Sequence, residues 1–150
     1  FNPVVSFVFC LKGEISVRTC TFFVVLQIAG AVCGVILANY MFGIEPVNFS
    51  EKTRSGTNIF VSEVFATFGL LLVILLSTKE KVAGGVAAYI GAAYWFTSSP
   101  SFANPAGSIG RAFSNTFAGI NPDDVIAFCG AQVIGAMLAY LLHKQVFARS

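Results

Sequence analysis

The dipeptide Asn-Pro occurs twice in this chain, as Asn2-Pro3 and as Asn104-Pro105, each time beside long apolar segments. Asn is a strong helix N-cap and Pro fits the first helical turn, so each pair predicts the start of a helix. A helix that starts inside a bilayer leaves backbone groups without partners, which is tolerated only beside water or other protein. The two pairs therefore indicate two short helices beside a pore.

The composition favours a membrane protein. Of the 150 residues, 56% are hydrophobic and 11% are charged, whereas a soluble domain carries about a quarter charged residues. A net charge of +2 is too small to favour nucleic acid as a partner. The four cysteines show no Cys-x-x-Cys spacing, which favours buried thiols over a metal or redox site, and we expect no cofactor. They are Cys10, Cys20, Cys33 and Cys129.

The apolar segments predict an all-α membrane protein. Four segments are long enough to cross a bilayer, which needs about 20 residues. They are Phe22–Phe42, Ile59–Ser77, Val82–Thr97 and Val125–Leu142. Two segments that follow the Asn-Pro pairs, Val4–Lys12 and Pro105–Asn115, are too short to span the bilayer. We expect these two to form re-entrant half-helices.

The basic residues predict the orientation, because cytoplasmic loops carry an excess of Lys and Arg. With the C-terminus in the cytoplasm, six of the nine basic residues fall on the cytoplasmic side. These six are Lys12, Arg18, Lys79, Lys81, Lys144 and Arg149.

The chain contains an internal repeat. Each Asn-Pro pair is followed by a span with the pattern Gln-x-x-Gly-Ala, which begins at Gln27 in the first copy and at Gln132 in the second. Three crossings separate the two Asn-Pro pairs, so the second copy enters from the opposite face and the repeat is inverted. The N-termini of the two half-helices are therefore expected to face each other.

These features together resemble the aquaporin and glycerol-facilitator family. The resemblance runs from the family's first Asn-Pro-Ala loop to its sixth span, so residues 1–150 would form a partial channel domain that lacks the first two spans. The run from Ser114 to Ile120 is similar to a bacterial branch of the family, which implies an inner-membrane location. The resemblance to the family as a whole implies a homotetramer. The residues that carry the resemblance are Phe1-Asn2-Pro3-Val4-Val5-Ser6, Gln27-Ile28-Ala29-Gly30-Ala31, Glu63 and Phe102-Ala103-Asn104-Pro105-Ala106.

The resemblance implies a mechanism at the junction of the half-helices. Asn2 and Asn104 would donate amide N–H groups to a passing water and break the proton-conducting file. The positive ends of the two half-helix dipoles would repel cations, including hydronium, as in aquaporin-type selectivity. The remaining motif residues would line this junction: Pro3, Val4, Pro105 and Ala106. Val4 departs from the family, which has Ala there.

The selectivity filter is expected to depart from the family. Gly107 stands where the family usually has an Arg. The guanidinium of Arg111, four residues later, either reaches back to the constriction or snorkels to the outer interface. Ala92 and Ser101 occupy two other filter positions, and their small side chains would make a wide pore. Such a pore would pass glycerol and neutral metalloid acids such as arsenous acid as well as water.

Glu63 lies within an apolar span, where an acidic residue is costly and is functional by default. The resemblance implies that its carboxyl group holds the backbone of a re-entrant loop, with Gln27 and Gln132 in similar supporting roles. A purely structural role is the alternative.

The function that these features favour is a passive channel for water and small uncharged solutes, which excludes protons and ions. An enzyme is the weakest class, since no nucleophile–base arrangement or phosphate-binding loop is present. The alternatives are a non-conducting truncated remnant and an ion- or proton-coupled transporter. The expected partners are water, small neutral solutes and the lipid bilayer.

Overall fold

The computed structural model of the chain describes residues 1–147, and the described part is helical with no β-strand. This confirms the all-α prediction. A π-helical segment, His143–Phe147, continues the last helix. Arg149, one of the basic residues used to predict the orientation, lies outside the described residues. The helices are α1 (Pro3–Leu11), α2 (Val17–Met41), α3 (Thr57–Leu76), α4 (Val82–Phe96), α5 (Pro105–Arg111) and α6 (Pro122–Leu142).

Among the described residues, three helices are long and apolar enough to cross a membrane: α2, α3 and α6 with its π-helical extension. The remaining predicted span, Val82–Thr97, corresponds to α4, a shorter apolar helix of 15 residues. At 1.5 Å per residue its length is roughly 22 Å, below the thickness of about 30 Å of a hydrocarbon core.

Two boundaries differ from the sequence prediction by more than one helical turn. The first span begins at Val17 and not at Phe22, because Ser16 caps α2 by accepting a hydrogen bond from the backbone N–H of Thr19 at 3.1 Å. The second half-helix ends at Arg111 and does not reach Asn115. Polar residues follow it, and their side chains offer the backbone alternatives to helical hydrogen bonds.

The chain divides into two compact units. The first unit contains Phe1–Ser55 and Asn104–Cys129, and it therefore holds α1, α2, α5 and the start of α6. The second unit contains Gly56–Ala103 and the residues from Gly130 onward, with α3, α4 and the rest of α6.

In the first unit, a tight turn joins α1 to α2. Gly13 has a φ of 76°, a left-handed conformation that glycine adopts without steric cost. The N–H of Gly13 donates to the carbonyl of Cys10 at 2.9 Å, and the N–H of Glu14 donates to that of Phe9 at 3.0 Å. These bonds satisfy the last carbonyls of α1, so the half-helix ends where the sequence places a glycine.

Helix α5 packs closely on α2 in the first unit. A Cβ atom added at Gly110 would lie 2.9 Å from the carbonyl oxygen of Ala31 and 3.2 Å from its Cβ. Only glycine therefore permits this approach of the two helix backbones.

Helices α3 and α4 pack together in the second unit. The hydroxyl of Tyr89 on α4 donates to the carbonyl of Ala66 on α3 at 3.0 Å. Gly135 of α6 lies against the same helix, because an added Cβ would contact the carbonyl oxygen of Val64 and the backbone nitrogen of Phe68. The glycine of the second Gln-x-x-Gly-Ala pattern is thus a close-packing residue.

The contact between α5 and α2 gives a test of the packing. We expect Gly110→Ala to lower the free energy of unfolding by about 1–3 kcal/mol, because its Cβ would overlap the backbone of Ala31. Gly107→Ala on the same helix is the matched control, since its Cβ would meet only the Asn104 side chain at an ordinary 3.6 Å. Thermal unfolding in detergent measures both, and equal stabilities of the two variants would contradict the packing.

Candidate functional site

Both Asn-Pro pairs start helices, with Asn as the N-cap residue and Pro in the first turn. Asn2 is extended, with φ −149° and ψ 118°, and its side-chain oxygen accepts the N–H of Val4 at 3.2 Å. Asn104 is extended as well, and its side-chain oxygen accepts the N–H groups of Ala106 at 3.0 Å and Gly107 at 3.2 Å. Each Asn thus satisfies backbone donors that the first helical turn leaves without a partner.

The two helix starts lie together within the first unit. The side-chain N–H of Asn104 donates to the carbonyl oxygen of Phe1 at 3.0 Å, and Phe1 directly precedes Asn2. Asn2 and Asn104 also line the same cavity. The positive ends of two helix dipoles therefore meet at one place.

The cavity has a volume of about 770 Å³ and is mainly apolar. Its polar side chains come from Asn2, Ser6, Gln27 and Asn104. The other lining residues carry no polar side chain: Phe1, Val5, Phe23, Leu26, Gly30, Ala31, Ala106 and Gly107. An apolar wall with a few converging polar groups is typical of a site for small molecules.

Gln27 connects the first half-helix to α2. Its side-chain N–H donates to the hydroxyl of Ser6 on α1 at 3.0 Å. Its side-chain oxygen is buried and has no hydrogen-bond partner within residues 1–147. Gln132 occupies the equivalent position of the repeat on α6 and contacts Glu63 in the second unit.

The motif residues beside the two Asn caps lie in different positions relative to the cavity. Val4 is only 2% exposed, and the next residue, Val5, lines the cavity. Pro3 and Pro105 are buried, whereas Ala106 is buried and also lines the cavity.

Glu63 is the centre of a buried hydrogen-bond cluster in the second unit. The residue is fully buried, and its carboxyl group accepts the backbone N–H of Phe102 at 3.3 Å and that of Ala103. The side-chain N–H of Gln132 donates to the same carboxyl group at 2.8 Å. Phe102 and Ala103 directly precede Asn104 in the chain, so Glu63 holds the backbone that leads to the second helix cap.

The backbone of this loop adopts conformations that L-residues rarely take. Ser101 has a φ of 48° and Ala103 a φ of 46°. Such a left-handed backbone persists only where the surroundings enforce it, and such residues cluster at functional sites. The hydrogen bond from the N–H of Ala103 to Glu63 is one contact that holds the backbone in this conformation.

The proposed filter residues lie in different places. Ala92 is exposed on α4, and Ser101 is buried in the loop after α4; both belong to the second unit. Arg111 is the last residue of α5, at the opposite end of that helix from Asn104, and it is half-buried. Gly107, where the family usually has Arg, lines the cavity of the first unit.

A strap that no sequence pattern indicates, residues 43–55, binds the segment after α5. The backbone N–H of Asn48 donates to the carbonyl of Phe113 at 3.3 Å, and that of Ser50 donates to the carbonyl of Ala112 at 3.0 Å. The N–H of Asn121 donates back to the carbonyl of Lys52 at 2.8 Å. The strap therefore pairs the carbonyls of Ala112 and Phe113, the two residues directly after α5, which need partners outside a helix.

Two buried polar side chains complete this arrangement. Asn39, at the end of α2, donates to the carbonyl of Phe113 at 2.9 Å and accepts the hydroxyl of Ser114 at 2.7 Å. Arg54 of the strap is 7% exposed and donates to the carbonyls of Phe117 and Gly119. The sequence could have indicated a role for Asn39, because it is a polar residue inside an apolar span. It could not have indicated the partners of Arg54, which lie far away in sequence.

The cluster around Glu63 gives a second test. We expect Glu63→Gln to lower the free energy of unfolding by about 1–3 kcal/mol, because an amide cannot accept from Phe102, Ala103 and Gln132 together. Thr67→Val is the control, since its fully buried hydroxyl donates only to the carbonyl of Glu63, one turn earlier in the same helix. A Glu63→Gln protein as stable as the control in thermal unfolding would refute the role.

Comparison with known proteins gives consistent results. The chain is 46% identical over 147 residues to the protein named aquaglyceroporin AqpS of Rhizobium meliloti (strain 1021), which covers 96% of this chain and 63% of that protein. It is 26% identical over 152 residues to the probable aquaporin TIP2-2 of Oryza sativa subsp. japonica, which covers 97% of this chain and 61% of that protein. The chain thus spans less than two thirds of the length of these relatives. No solved structure gives a significant match.

The family model for the major intrinsic proteins matches residues 1–113, a stretch that contains both Asn-Pro pairs, the strap and Glu63. Members of this family are channels and not enzymes, which agrees with the prediction that the chain is not an enzyme. The apolar helices and this match identify an integral membrane protein. The chain belongs to the major intrinsic protein family.

Proposed function

We propose that the protein is a passive channel for water and small uncharged solutes. The observation that carries the proposal is the meeting of the two Asn-capped helix starts at one cavity. The side-chain N–H of Asn104 reaches the carbonyl beside Asn2 at 3.0 Å, and both Asn side chains line the cavity wall.

The same arrangement supports exclusion of protons and ions. The side-chain oxygens of Asn2 and Asn104 accept backbone N–H groups of their own helices, so each side chain can donate only through its amide nitrogen, which carries two N–H groups. One N–H of Asn104 bonds the carbonyl of Phe1, and we assign its second N–H to the passing water. A water molecule held by two such donors accepts from both and cannot relay a proton through an unbroken file. The positive ends of the two helix dipoles add an electrostatic barrier to cations.

The solute class follows from the cavity wall. Gly107 lines the cavity with no side chain, next to small Ala31 and Ala106. This leaves room for solutes larger than water, and the first relative is named an aquaglyceroporin. We include glycerol and neutral metalloid acids such as arsenous acid among the solutes that a wall of this kind admits.

The remaining parts of the proposal concern placement. Glu63 and Gln132 hold the loop before the second half-helix. Ala92 and Ser101 lie at the selectivity filter. Arg111 lies at the end of α5 that is away from the Asn104 cap. The protein lies in the bacterial inner membrane as a homotetramer, with its C-terminus in the cytoplasm and the two halves of the repeat in opposite orientations.

The test of this function is osmotic swelling of proteoliposomes that contain the intact protein. We expect swelling in water, glycerol and arsenous acid gradients faster than that of empty vesicles, without dissipation of a pH gradient. Permeability equal to that of empty vesicles for all three would reject the channel. Uptake that depends on the pH gradient would instead favour a coupled transporter.

The width of the cavity at Gly107 gives a separate prediction. We expect Gly107→Arg to lower glycerol permeability by roughly tenfold or more and water permeability far less. The reason is that the new side chain narrows the cavity and adds a fixed charge to its wall. Gly107→Ala is the control, since its Cβ meets only ordinary contacts. Stopped-flow light scattering of proteoliposomes measures both rates. If Gly107→Arg transports glycerol like the control, Gly107 does not face the solute path.

A further inference from the structure

Arg54 is a buried cationic residue whose role follows from its contacts. We propose that Arg54 is a positioning residue, which clamps the strap onto the segment after α5, residues 112–121, and thereby sets the solute selectivity of the channel without touching the solute. The proposed effect of Arg54 on solute selectivity rests on the proposed channel function.

Helix α5 needs support from outside its own sequence. It has seven residues, about two turns, and an isolated helix of that length is not stable in water. Its start is held by Asn104, and its middle by the close contact of Gly110 with Ala31. The two residues directly after its end are held by the strap, through the N–H groups that donate to the carbonyls of Ala112 and Phe113.

Arg54 fastens the strap to the chain that follows α5. Its Nε donates to the carbonyl of Gly119 at 2.7 Å, and its Nη2 donates to the carbonyl of Phe117 at 3.0 Å. Its backbone N–H donates to the side chain of Asp124, in the first turn of α6, at 2.6 Å. One residue of the strap therefore binds three points along the stretch from Phe117 to Asp124.

The contacts of Arg54 require an arginine. A guanidinium group presents several N–H donors in a rigid plane, so that it bonds two carbonyls at once, whereas the ammonium of lysine is a compact donor on a flexible chain. The side chain is buried, so its charge depends on these carbonyls for the solvation that water would otherwise supply. Lysine at this position would leave one of the two carbonyls without its donor.

A second basic residue in the strap provides a matched comparison. Lys52 is half-buried, and its ammonium lies 4.3 Å from the ring centre of Phe117. It holds the segment after α5 through its backbone carbonyl, which a side-chain substitution leaves in place. Lys52→Ala thus removes a positive charge from the strap but keeps its hydrogen bonds.

The consequence for selectivity is geometric. The cap residue Asn104 and the wall residue Gly107 lie on the short helix that the strap supports. If the clamp opens, α5 gains freedom to shift, and small displacements of positioned groups have large effects on rates. The ratio of glycerol to water permeability then changes, because the two solutes differ in the width that they need.

The experiment compares Arg54→Lys, Arg54→Ala and Lys52→Ala in the intact protein, reconstituted in proteoliposomes. The first readout is the ratio of glycerol to water permeability. The second is hydrogen exchange of the backbone amides of residues 105–121, which reports opening of the clamp whether or not the protein conducts. Arg54→Lys preserves charge and approximate size, so the comparison holds even where Arg54→Ala does not fold.

We expect both Arg54 variants to speed exchange in residues 112–121 by about tenfold or more and to change the permeability ratio, and Lys52→Ala to do neither. Exchange in Arg54→Lys equal to that of the unmodified protein overturns the clamp. Faster exchange with an unchanged permeability ratio reduces Arg54 to a structural role and overturns the assignment to selectivity. An unmodified protein that conducts neither solute rejects the channel function and the selectivity role together, while faster exchange in the variants would still identify the clamp.

Discussion

The structure depends on one constraint, which is that backbone polar groups away from water need partners. A half-helix inside a membrane exposes N–H groups at its start and carbonyls at its end. In α5 the side chain of Asn104 satisfies the start, and the N–H groups of the next three residues bond the last carbonyls of the helix. The strap then pairs the carbonyls of Ala112 and Phe113, which come directly after the helix. The cavity is located where these requirements bring the two Asn caps together.

The same constraint explains the acidic residue in an apolar helix. The loop before Asn104 has a left-handed backbone at Ser101 and Ala103, so its N–H groups do not point along a regular helix or strand. Glu63 supplies acceptors for two of them, and Gln132 donates to the same carboxyl group. A helix in lipid thus retains a costly polar residue whose carboxyl group pairs backbone N–H groups of this loop.

Much of this was predictable from sequence. The Asn-Pro pairs predicted two helix starts, since capping and the geometry of proline act over two or three residues. The family resemblance implied supporting roles for Glu63, Gln27 and Gln132, whose pattern of polar residues in apolar spans the sequence shows. All of these signals are local or periodic, and they identify a family whose members share them.

The strap was not predictable in this way. Its contacts join residues that are 60 or more positions apart, as in the bonds of Arg54 with Phe117 and Gly119. The strap itself has no repeating apolar pattern, and most of its hydrogen bonds use backbone groups that every residue possesses. The segment after α5 likewise departs from a helix where the strap binds it, since the carbonyls of Ala112 and Phe113 accept N–H groups from Ser50 and Asn48.

The shortness of α4 has a consequence for the surrounding lipid. A helix of roughly 22 Å is about 8 Å shorter than a typical hydrocarbon core, and this hydrophobic mismatch costs a fraction of a kcal/mol for each ångström. Tyr94 and Trp95 are exposed at its C-terminal end, and Trp95 is 91% exposed. Amphipathic rings of this kind settle at the level of the headgroups. A bilayer that thins locally along this face would relieve the mismatch, so a thinner membrane favours this helix.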